Sequence, residues 1–227
     1  MAEIIPERDP QALDLAVRLL KSGELVAYPT DTVYGLGALA SDDAAVKRLF
    51  VAKGRAPSKA MPLLVADDKM ASWVGDLTPV AHQLMSAFWP GPLTIVMRRQ
   101  GSFRSLALGG GDTVALRAPD SHFAWQVIRA LGEPIVGTSA NKSGSREPSS
   151  AAEAAFQLGE LVALVVDGGR VAGTASTVID ITREGGPTIV RPGAVKAEEI
   201  ERVLRTGPGP GQSKEEAGKA KEEMGNG

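Results

Sequence analysis

Apolar residues at helical spacing alternate along the chain with short apolar or β-branched runs. The first helical pattern follows Asp9 and Pro10, residue types that favour a helix cap and a first helical position. We therefore predict a helix that Asp9 caps and that Gly23 ends. The same spacing predicts further helices at residues 43–54, 78–89, 120–132, 149–160 and 196–205.

The runs between these helices have the composition of strands. They read ELVAYP, PLLVA, PLTIVMRR, TVALRAP, PIVGTSAN, LVALVVDGG, STVIDI and PTIVRPG. Alternation of strands with helices indicates an α/β layered domain. The last two runs are separated only by TREGG, which predicts a hairpin and hence a mixed sheet. Most runs lack polar residues at alternate positions, which indicates strands covered by helices on both faces.

Length and composition indicate one folded domain followed by a polar tail. With 227 residues and 43% hydrophobic content, the chain can bury one substantial core, which we predict to span residues 1–205. Two small domains are the alternative at this length. Residues 206–227 read TGPGPGQSKEEAGKAKEEMGNG and hold almost no apolar side chain. Such a segment cannot offset its ordering entropy by burial, so we predict a disordered tail.

Composition also excludes several classes of protein. The chain has no cysteine, which excludes disulfides and thiolate chemistry and favours a cytoplasmic setting. Its first residues, MAEIIPERDPQALDL, lack the pattern of a secretory signal, and no apolar run reaches transmembrane length. The formal net charge of -2 gives no general attraction to nucleic acid or to a membrane. Any cationic site must therefore be local.

Several predicted strands end in small polar or cationic residues. The segments PTDT, TSAN, GTAST and RPG each follow an apolar run, and ligands of open α/β sheets bind where strand ends leave a crevice. We predict that these segments share one pocket. Four cations accompany them, namely Lys53, Arg55, Arg117 and Arg191.

The two later arginines indicate what such a pocket would bind. Arg117 and Arg191 each interrupt an apolar run, where a charge is costly unless it meets an anion. For either arginine alone, a structural ion pair or a strand edge is an equally good interpretation. The four cations together favour a polyanionic ligand.

Other constellations of catalytic residues are absent from the sequence. It contains no G-x-x-x-x-G-K-[ST] phosphate loop, and GLGALA matches a dinucleotide fingerprint without the ribose-binding acid that should follow. We predict a close strand-to-helix turn at Gly35 and Gly37 instead. The two histidines, His82 and His122, fall in predicted helices and form no metal-binding pair. Positioning and charge neutralisation are therefore favoured over covalent catalysis.

Seven segments in fixed order carry a resemblance to a known family. PTDTVYGLG, AKGR, FWPGPLTIV, VALRAP, TSANKSG, STVID and VRPG, spread over residues 10–205, resemble the YrdC-type family of threonylcarbamoyl-AMP synthases. The resemblance implies a twisted mixed β-sheet flanked by helices, with a deep concave cationic cavity. It also implies the joining of L-threonine, bicarbonate and ATP into threonylcarbamoyl-AMP and pyrophosphate. The product would serve threonylcarbamoyladenosine formation at position 37 of tRNA.

The resemblance also assigns roles to residues. It implies that Thr30 and Ser176 bind threonine, that Arg117 meets the threonine carboxylate, and that Lys53 and Arg55 act as a catalytic pair at the ATP phosphates. Nucleotide contacts are implied for Ser139, Asn141 and Arg191, with Thr113 and Ser149 as further ATP candidates and Thr32, Tyr34 and Thr138 as weaker ones.

The same resemblance implies the cofactor and the partners. Magnesium would be held mainly through the ATP phosphates, without a protein metal site. A downstream tRNA threonylcarbamoyl transferase complex would receive the product, and no membrane partner is implied. No residue is assigned as the general base.

Two departures from the family pattern leave contacts open. In AKGRAPSKAMPLLV, Pro57 lies one position late and Lys59 is additional, so the contacts of this loop are not predicted. In addition, the polar tail stands where longer relatives carry another C-terminal domain. We expect residues 207–211 or another loop to close the site.

Two alternatives belong to other classes. A non-catalytic RNA-binding module could use a cationic cavity, but the net charge of -2 and the 4% aromatic content disfavour it. The domain could also act within a larger carbamoyl-transfer enzyme of hydrogenase maturation. The zinc-finger and acylphosphatase-like segments of such an enzyme do not occur in these 227 residues.

Overall fold

The computed structural model describes residues 2–206, which form a ten-stranded sheet flanked by seven α-helices. The strands are β1 (Glu3–Pro6), β2 (Val26–Tyr28), β3 (Gly35–Leu39), β4 (Leu63–Leu64), β5 (Leu93–Arg98), β6 (Thr113–Arg117), β7 (Ile135–Ser139), β8 (Leu164–Asp167), β9 (Thr177–Asp180) and β10 (Thr188–Arg191). The helices are α1 (Ala12–Lys21), α2 (Asp43–Lys53), α3 (Asp68–Val74), α4 (Pro79–Phe88), α5 (His122–Leu131), α6 (Ala151–Leu158) and α7 (Ala197–Thr206).

The sheet is mixed, as the sequence predicts. Its order is β1-β8-β2-β3-β7-β4-β6-β5-β9-β10. Strand β8 pairs in parallel with β1 and β2, whereas β3 pairs antiparallel with β2 and β7. The predicted hairpin is also confirmed, because β9 and β10 pair antiparallel with a register shift between Ile189 and Arg191.

The central strands are covered by helices, which confirms the expectation drawn from their apolar sequences. Every residue of β2 and β3 is buried. Helix α1 packs on β2, β3 and β8 and against α5, while α6 packs on β2 and β8. Among the described residues, no helix is both long enough and apolar enough to cross a membrane.

The glycine-rich segment GLGALA forms strand β3, so the predicted strand-to-helix turn at Gly35 and Gly37 is wrong. Both glycines lie against the ring of Tyr28 in the adjacent strand β2. A Cβ atom would lie 3.0 Å from the Tyr28 ring at Gly35 and 2.8 Å from it at Gly37. The glycines therefore serve close packing within the sheet, and the preceding residues 29–34 become the loop between two paired strands.

The two chain ends also differ from the prediction. Helix α1 begins at Ala12 after Gln11, and Asp9 instead accepts a hydrogen bond from the Gln11 amide at 2.8 Å, which forms a turn before the helix. Strand β1 and helix α3 were not predicted. At the other end Thr206 still belongs to α7, and the remainder of the predicted tail, residues 207–227, lies outside the described residues.

Candidate active site

A cavity of about 300 Å³ collects residues from segments that are far apart in the sequence. Residues of strands β3 to β7 and of β10 contribute part of its lining, and the end of α2 and several loops contribute the rest. The segments PTDT, TSAN, GTAST and RPG all reach it, as predicted. The predicted site residues that line it are Thr30, Thr32, Lys53, Arg55, Arg117, Thr138, Ser139, Asn141, Ser176 and Arg191.

Thr30 shapes the loop between β2 and β3. Its hydroxyl donates to the Val33 carbonyl oxygen at 2.7 Å and lies 3.0 Å from the Thr32 hydroxyl. The same Thr30 oxygen accepts from the amides of Thr32 and Val33. These contacts fix both hydroxyls at the cavity wall, because a threonine oxygen that bonds its own loop has one main orientation.

Arg117 lines the cavity and also forms a buried ion pair. Its guanidinium donates to the Gly91 carbonyl oxygen and to the Thr32 hydroxyl, both at 2.9 Å, and pairs with Asp31. Arg117 therefore forms the structural ion pair that was one interpretation of the sequence, and it also faces the cavity. Burial lowers the pKa of Arg117, and Asp31 counteracts that shift.

A second hydroxyl group joins β5 to the turn before β9. The hydroxyls of Thr94 and Ser176 lie 2.8 Å apart, and Arg191 donates to the Ser176 carbonyl oxygen at 2.8 Å and to its hydroxyl at 3.1 Å. We call these residues, with those around Thr30, the hydroxyl side of the cavity. Its members are Thr30, Asp31, Thr32, Thr94, Arg117, Ser176 and Arg191.

Lys53 anchors another part of the lining, which we call the loop side. Its members are Lys53, Arg55, Thr138, Ser139, Asn141, Ser143, Gly144, Ser145 and Glu147. The Lys53 ammonium is buried at the end of α2 and donates to the Ser139 carbonyl oxygen at 2.5 Å. It also donates to the backbone oxygen of Asn141 at 2.9 Å and to the side-chain oxygen of that residue at 3.3 Å. An ammonium has three donors, so a phosphate would have to replace one of these oxygens.

Burial lowers the pKa of Lys53 to about 8. The charge of Arg55 lowers it further, whereas the carboxylate of Glu147 acts in the opposite direction. The amine is therefore charged at neutral pH and loses its proton about two to three pH units earlier than an exposed lysine. The positive charge that Lys53 contributes to this side of the cavity therefore depends on pH.

Arg55 organises the loop in which the sequence departs from the family pattern. Gly54 ends α2 in the left-handed conformation, at φ 57°, and so directs the chain into the loop. The Arg55 side chain donates to the Lys59 carbonyl oxygen at 3.1 Å and to the Ala60 carbonyl oxygen at 2.8 Å. The residues around Pro57 are thereby held by the same guanidinium that faces the cavity.

Three predicted residues lie outside the cavity lining. Thr113 begins β6, at the opposite end of that strand from Arg117, and pairs with Arg98. Tyr34 donates its hydroxyl to the Gly169 carbonyl oxygen at 2.7 Å. The Ser149 hydroxyl lies 3.2 Å from the Glu153 carboxylate, within the turn that begins α6. The structure does not bring these residues to the others.

Sequence reasoning missed three residues of the site. Thr94 is hidden inside a β-branched strand run, where threonine is common for packing reasons. Asp31 lies within PTDT, but nothing in the sequence marks it as the partner of Arg117, because only the fold brings the two residues together. Glu147 follows TSANKSG in a polar loop and lines the cavity. No local pattern distinguishes this glutamate from a solvent-facing one.

Fold and cavity together define an α/β protein in which hydroxyls and basic side chains surround one polar pocket. The chain belongs to the Sua5/YciO/YrdC family. The model of that family, Sua5_yciO_yrdC, described as "Telomere recombination", matches residues 18–193.

Individual relatives support this membership. The chain is 40% identical over 192 residues to the threonylcarbamoyl-AMP synthase of Pyrococcus abyssi, across 84% of this chain and 56% of that protein. It is 38% identical to a putative threonylcarbamoyl-AMP synthase of Mycobacterium tuberculosis, across 88% of this chain and 92% of that protein. The crystal structure of P. abyssi Sua5 complexed with L-threonine aligns with a TM-score of 0.84 at 38% identity, over 90% of this chain and 61% of that one.

The chain covers different shares of the lengths of these relatives. The chain spans little more than half the length of the P. abyssi relative, yet nearly the whole length of the M. tuberculosis relative. The shared part includes the cavity, because the family match runs from residue 18 to residue 193 and the cavity lining lies between Thr30 and Arg191.

Proposed function

We propose that this protein is an L-threonylcarbamoyladenylate synthase, which forms threonylcarbamoyl-AMP and pyrophosphate from L-threonine, bicarbonate and ATP. One observation carries the proposal: a single cavity holds both a set of hydroxyls beside a buried arginine and a set of basic side chains beside a polar loop. The names of the relatives and the threonine complex of P. abyssi Sua5 support it.

The hydroxyl side suits an amino acid such as threonine. A zwitterion needs a cation for its carboxylate, and Arg117 supplies one in a fixed position. The Ser176 and Thr94 hydroxyls can each donate or accept, so they can meet a second hydroxyl or an amine. Because Asp31 balances Arg117, that pair adds no net charge beside the zwitterion, and Arg191 leaves one positive charge on this side.

The loop side suits the triphosphate of ATP. Arg55 uses two of its donors within its own loop and retains others, and Lys53 can exchange a loop oxygen for a phosphate oxygen. Arg191, on the hydroxyl side, is bonded to Ser176 and is a further cation of the same cavity. We assign Lys53 and Arg55 to the ATP phosphates, with Ser139, Asn141 and Arg191 as further nucleotide contacts.

The reaction concentrates negative charge at one phosphorus atom. The threonine amine is captured by bicarbonate as a carbamate, with loss of water, and a carbamate oxygen then forms a bond to the α-phosphorus. The bond from that phosphorus to the pyrophosphate oxygen breaks. Lys53, Arg55 and Arg191 would lower the barrier by neutralising charge that is already positioned, without a covalent enzyme intermediate.

Magnesium fits this site as a companion of ATP. Within residues 2–206, no three histidine, aspartate or glutamate side chains come together as a metal-binding group. The acidic residue in the cavity lining is Glu147. Phosphate oxygens would therefore supply most ligands, and the ion would contribute charge neutralisation at the phosphates.

The product would pass to a tRNA threonylcarbamoyl transferase complex for modification of adenosine 37 of tRNA. We include these partners in the proposal because the family resemblance described above implies them. An acyl adenylate hydrolyses readily, so a nearby acceptor would limit its loss.

The proposal is tested by following pyrophosphate release from ATP by the purified 227-residue chain. We expect release that requires both L-threonine and bicarbonate, with threonylcarbamoyl-AMP detected by mass spectrometry. Release that is unchanged when threonine is omitted would contradict the proposal.

The same preparation distinguishes the RNA-binding alternative. A non-catalytic module would bind RNA with an affinity that falls steeply with salt, and it would not bind ATP. We expect the reverse, namely ATP binding by calorimetry and only weak association with RNA.

A further inference from the structure

Glu147 is an unpaired carboxylate in a cavity that otherwise carries basic side chains. The charged residues of the lining are Glu147, Lys53, Arg55, Arg117 and Arg191. Among the hydrogen bonds and ion pairs found within residues 2–206, none includes the Glu147 side chain, although the residue is half-buried. Two of the neighbouring basic groups, Lys53 and Arg55, instead donate to backbone oxygens.

The backbone on both sides of Glu147 is fixed. On one side, the Asn141 side-chain amide donates to the Ser145 carbonyl oxygen at 2.7 Å, and the Ser143 amide donates to the Lys53 carbonyl oxygen at 2.8 Å. On the other side, Pro148 accepts from the amide of Tyr34 at 3.0 Å. The carboxylate is therefore presented to the cavity by an anchored loop.

Glu147 also acts on Lys53, one of the basic groups assigned to the ATP phosphates. Its charge works on Lys53 and raises the pKa of that amine, against the effect of burial. Lys53 lies at the end of α2, on the loop side of the cavity. Glu147 therefore stands on the loop side, where a triphosphate would bind.

A carboxylate at that position conflicts with a triphosphate unless something lies between them. Two anions repel each other in a partly enclosed site, and the Glu147 carboxylate offsets one of the two positive charges that Lys53 and Arg55 bring to this side. A divalent cation removes the conflict, because magnesium in proteins is typically bound by one or two carboxylates together with substrate phosphates.

We propose that Glu147 is a carboxylate ligand of the magnesium ion that enters with ATP, so that the cavity accepts Mg·ATP and rejects free ATP. This inference rests on the proposed function. It assigns a role to a residue outside the motifs that carry the family resemblance.

Calorimetric titration of ATP, with magnesium in excess and again with EDTA, tests the inference without turnover. For the unaltered chain we expect binding at least about tenfold tighter with magnesium. Glu147→Gln should weaken Mg·ATP binding about tenfold and should strengthen binding of free ATP, because the repulsion is gone. The ratio of the two dissociation constants should therefore collapse toward one.

Two further variants separate metal binding from charge and from folding. Glu147→Asp keeps the negative charge but shortens the side chain by one methylene group. This variant should still reject free ATP, and magnesium should increase its ATP affinity less than it does for the unaltered chain. Glu184→Gln removes a negative charge from an exposed turn and should change neither constant. Circular dichroism of each variant verifies that it is folded.

The outcomes distinguish this inference from the proposed function. If the unaltered chain binds ATP equally well with and without magnesium, or if Glu147→Gln leaves the ratio unchanged, the role of Glu147 is overturned and the synthase proposal stands. If the unaltered chain binds no ATP under either condition, the synthase proposal itself fails.

Discussion

On the hydroxyl side of the cavity, Arg117 and Asp31 pair in a buried position, whereas on the loop side Lys53 and Arg55 are held by backbone oxygens of loops. The first arrangement joins two side chains, one on strand β6 and one on the loop that Thr30 folds. The second depends on the loops at residues 54–62 and 139–147, whose oxygens a ligand could replace.

This difference between the two sides indicates which of them changes conformation when a ligand binds. A buried ion pair with both partners in place resists rearrangement, since breaking it leaves an uncompensated charge. Carbonyl oxygens that accept from a lysine or an arginine can be exchanged for phosphate oxygens, because both are hydrogen-bond acceptors. We infer that the hydroxyl side is preformed and that the loop side reorganises when nucleotide binds.

The largest expected effect comes from breaking the preformed side. Asp31→Asn should lower the free energy of unfolding by about 3 kcal/mol, because the side chains of Arg117 and Asp31 are only 8% and 15% exposed. Urea denaturation at neutral pH measures this change, and an unaltered slope with denaturant shows that the folded state is intact.

Asp112→Asn provides the matched control for that measurement. Asp112 also pairs with an arginine, Arg98, but the two side chains are 73% and 57% exposed. An exposed pair contributes about 0–1 kcal/mol, so this substitution should have little effect. Equal losses in Asp31→Asn and Asp112→Asn would show that burial does not distinguish the two pairs.

The next largest effect concerns the loop side. Lys53→Met keeps an unbranched side chain one atom shorter but removes its charge. ATP affinity should fall about tenfold or more, as for loss of a hydrogen bond to a charged group. Threonine affinity should change little. Lys47→Met, an exposed position on the same helix α2, is the control and should leave ATP affinity unchanged. A fall in both variants would indicate a general charge effect.

The pKa of Lys53 predicts opposite trends for binding and stability. It is about 8 in the folded protein, below the ordinary value of 10.5, so between these values the unfolded chain holds a proton that the folded one has lost. Stability relative to Lys53→Met should therefore rise with pH across this window. ATP affinity should fall over the same window, because the amine loses its charge. Parallel trends in denaturation and calorimetry would contradict the assignment.

Much of the fold could be predicted from local patterns. The mixed sheet and the final hairpin follow from apolar runs and from the short TREGG connection. Strand β3 could not be recognised, because Gly35 and Gly37 weaken any strand signal. Glycine is needed at both positions because the ring of Tyr28 packs against them. A close contact between two strands is a tertiary property that neither segment reveals alone.

In the candidate site too, some features could be predicted from the sequence and others could not. Lys53, Arg55, Arg117 and Arg191 could be predicted to share a pocket, because they accompany polar strand ends that should meet. The structure confirms that all four line one cavity. Their partners could not be predicted, since the pairing of Arg117 with Asp31 spans 86 residues. The roles of these residues at substrates remain predictions.

The smallest effect tests whether a strand residue belongs to the hydroxyl side. Thr94→Val keeps the volume of the side chain but removes the hydroxyl that lies 2.8 Å from Ser176. We expect a loss of stability of about 1 kcal/mol and a fall of threonine affinity of about fivefold, with ATP affinity unchanged. Calorimetry with each ligand measures both constants.

Thr113→Val is the control for this substitution, on the neighbouring strand β6. Thr113 was predicted to contact ATP, yet the structure places it at the end of its strand away from Arg117. Its replacement should alter neither threonine nor ATP affinity. If Thr113→Val weakens ATP binding while Thr94→Val spares threonine, the division of the cavity into a hydroxyl side and a loop side is wrong, because the residues that matter would then lie outside both.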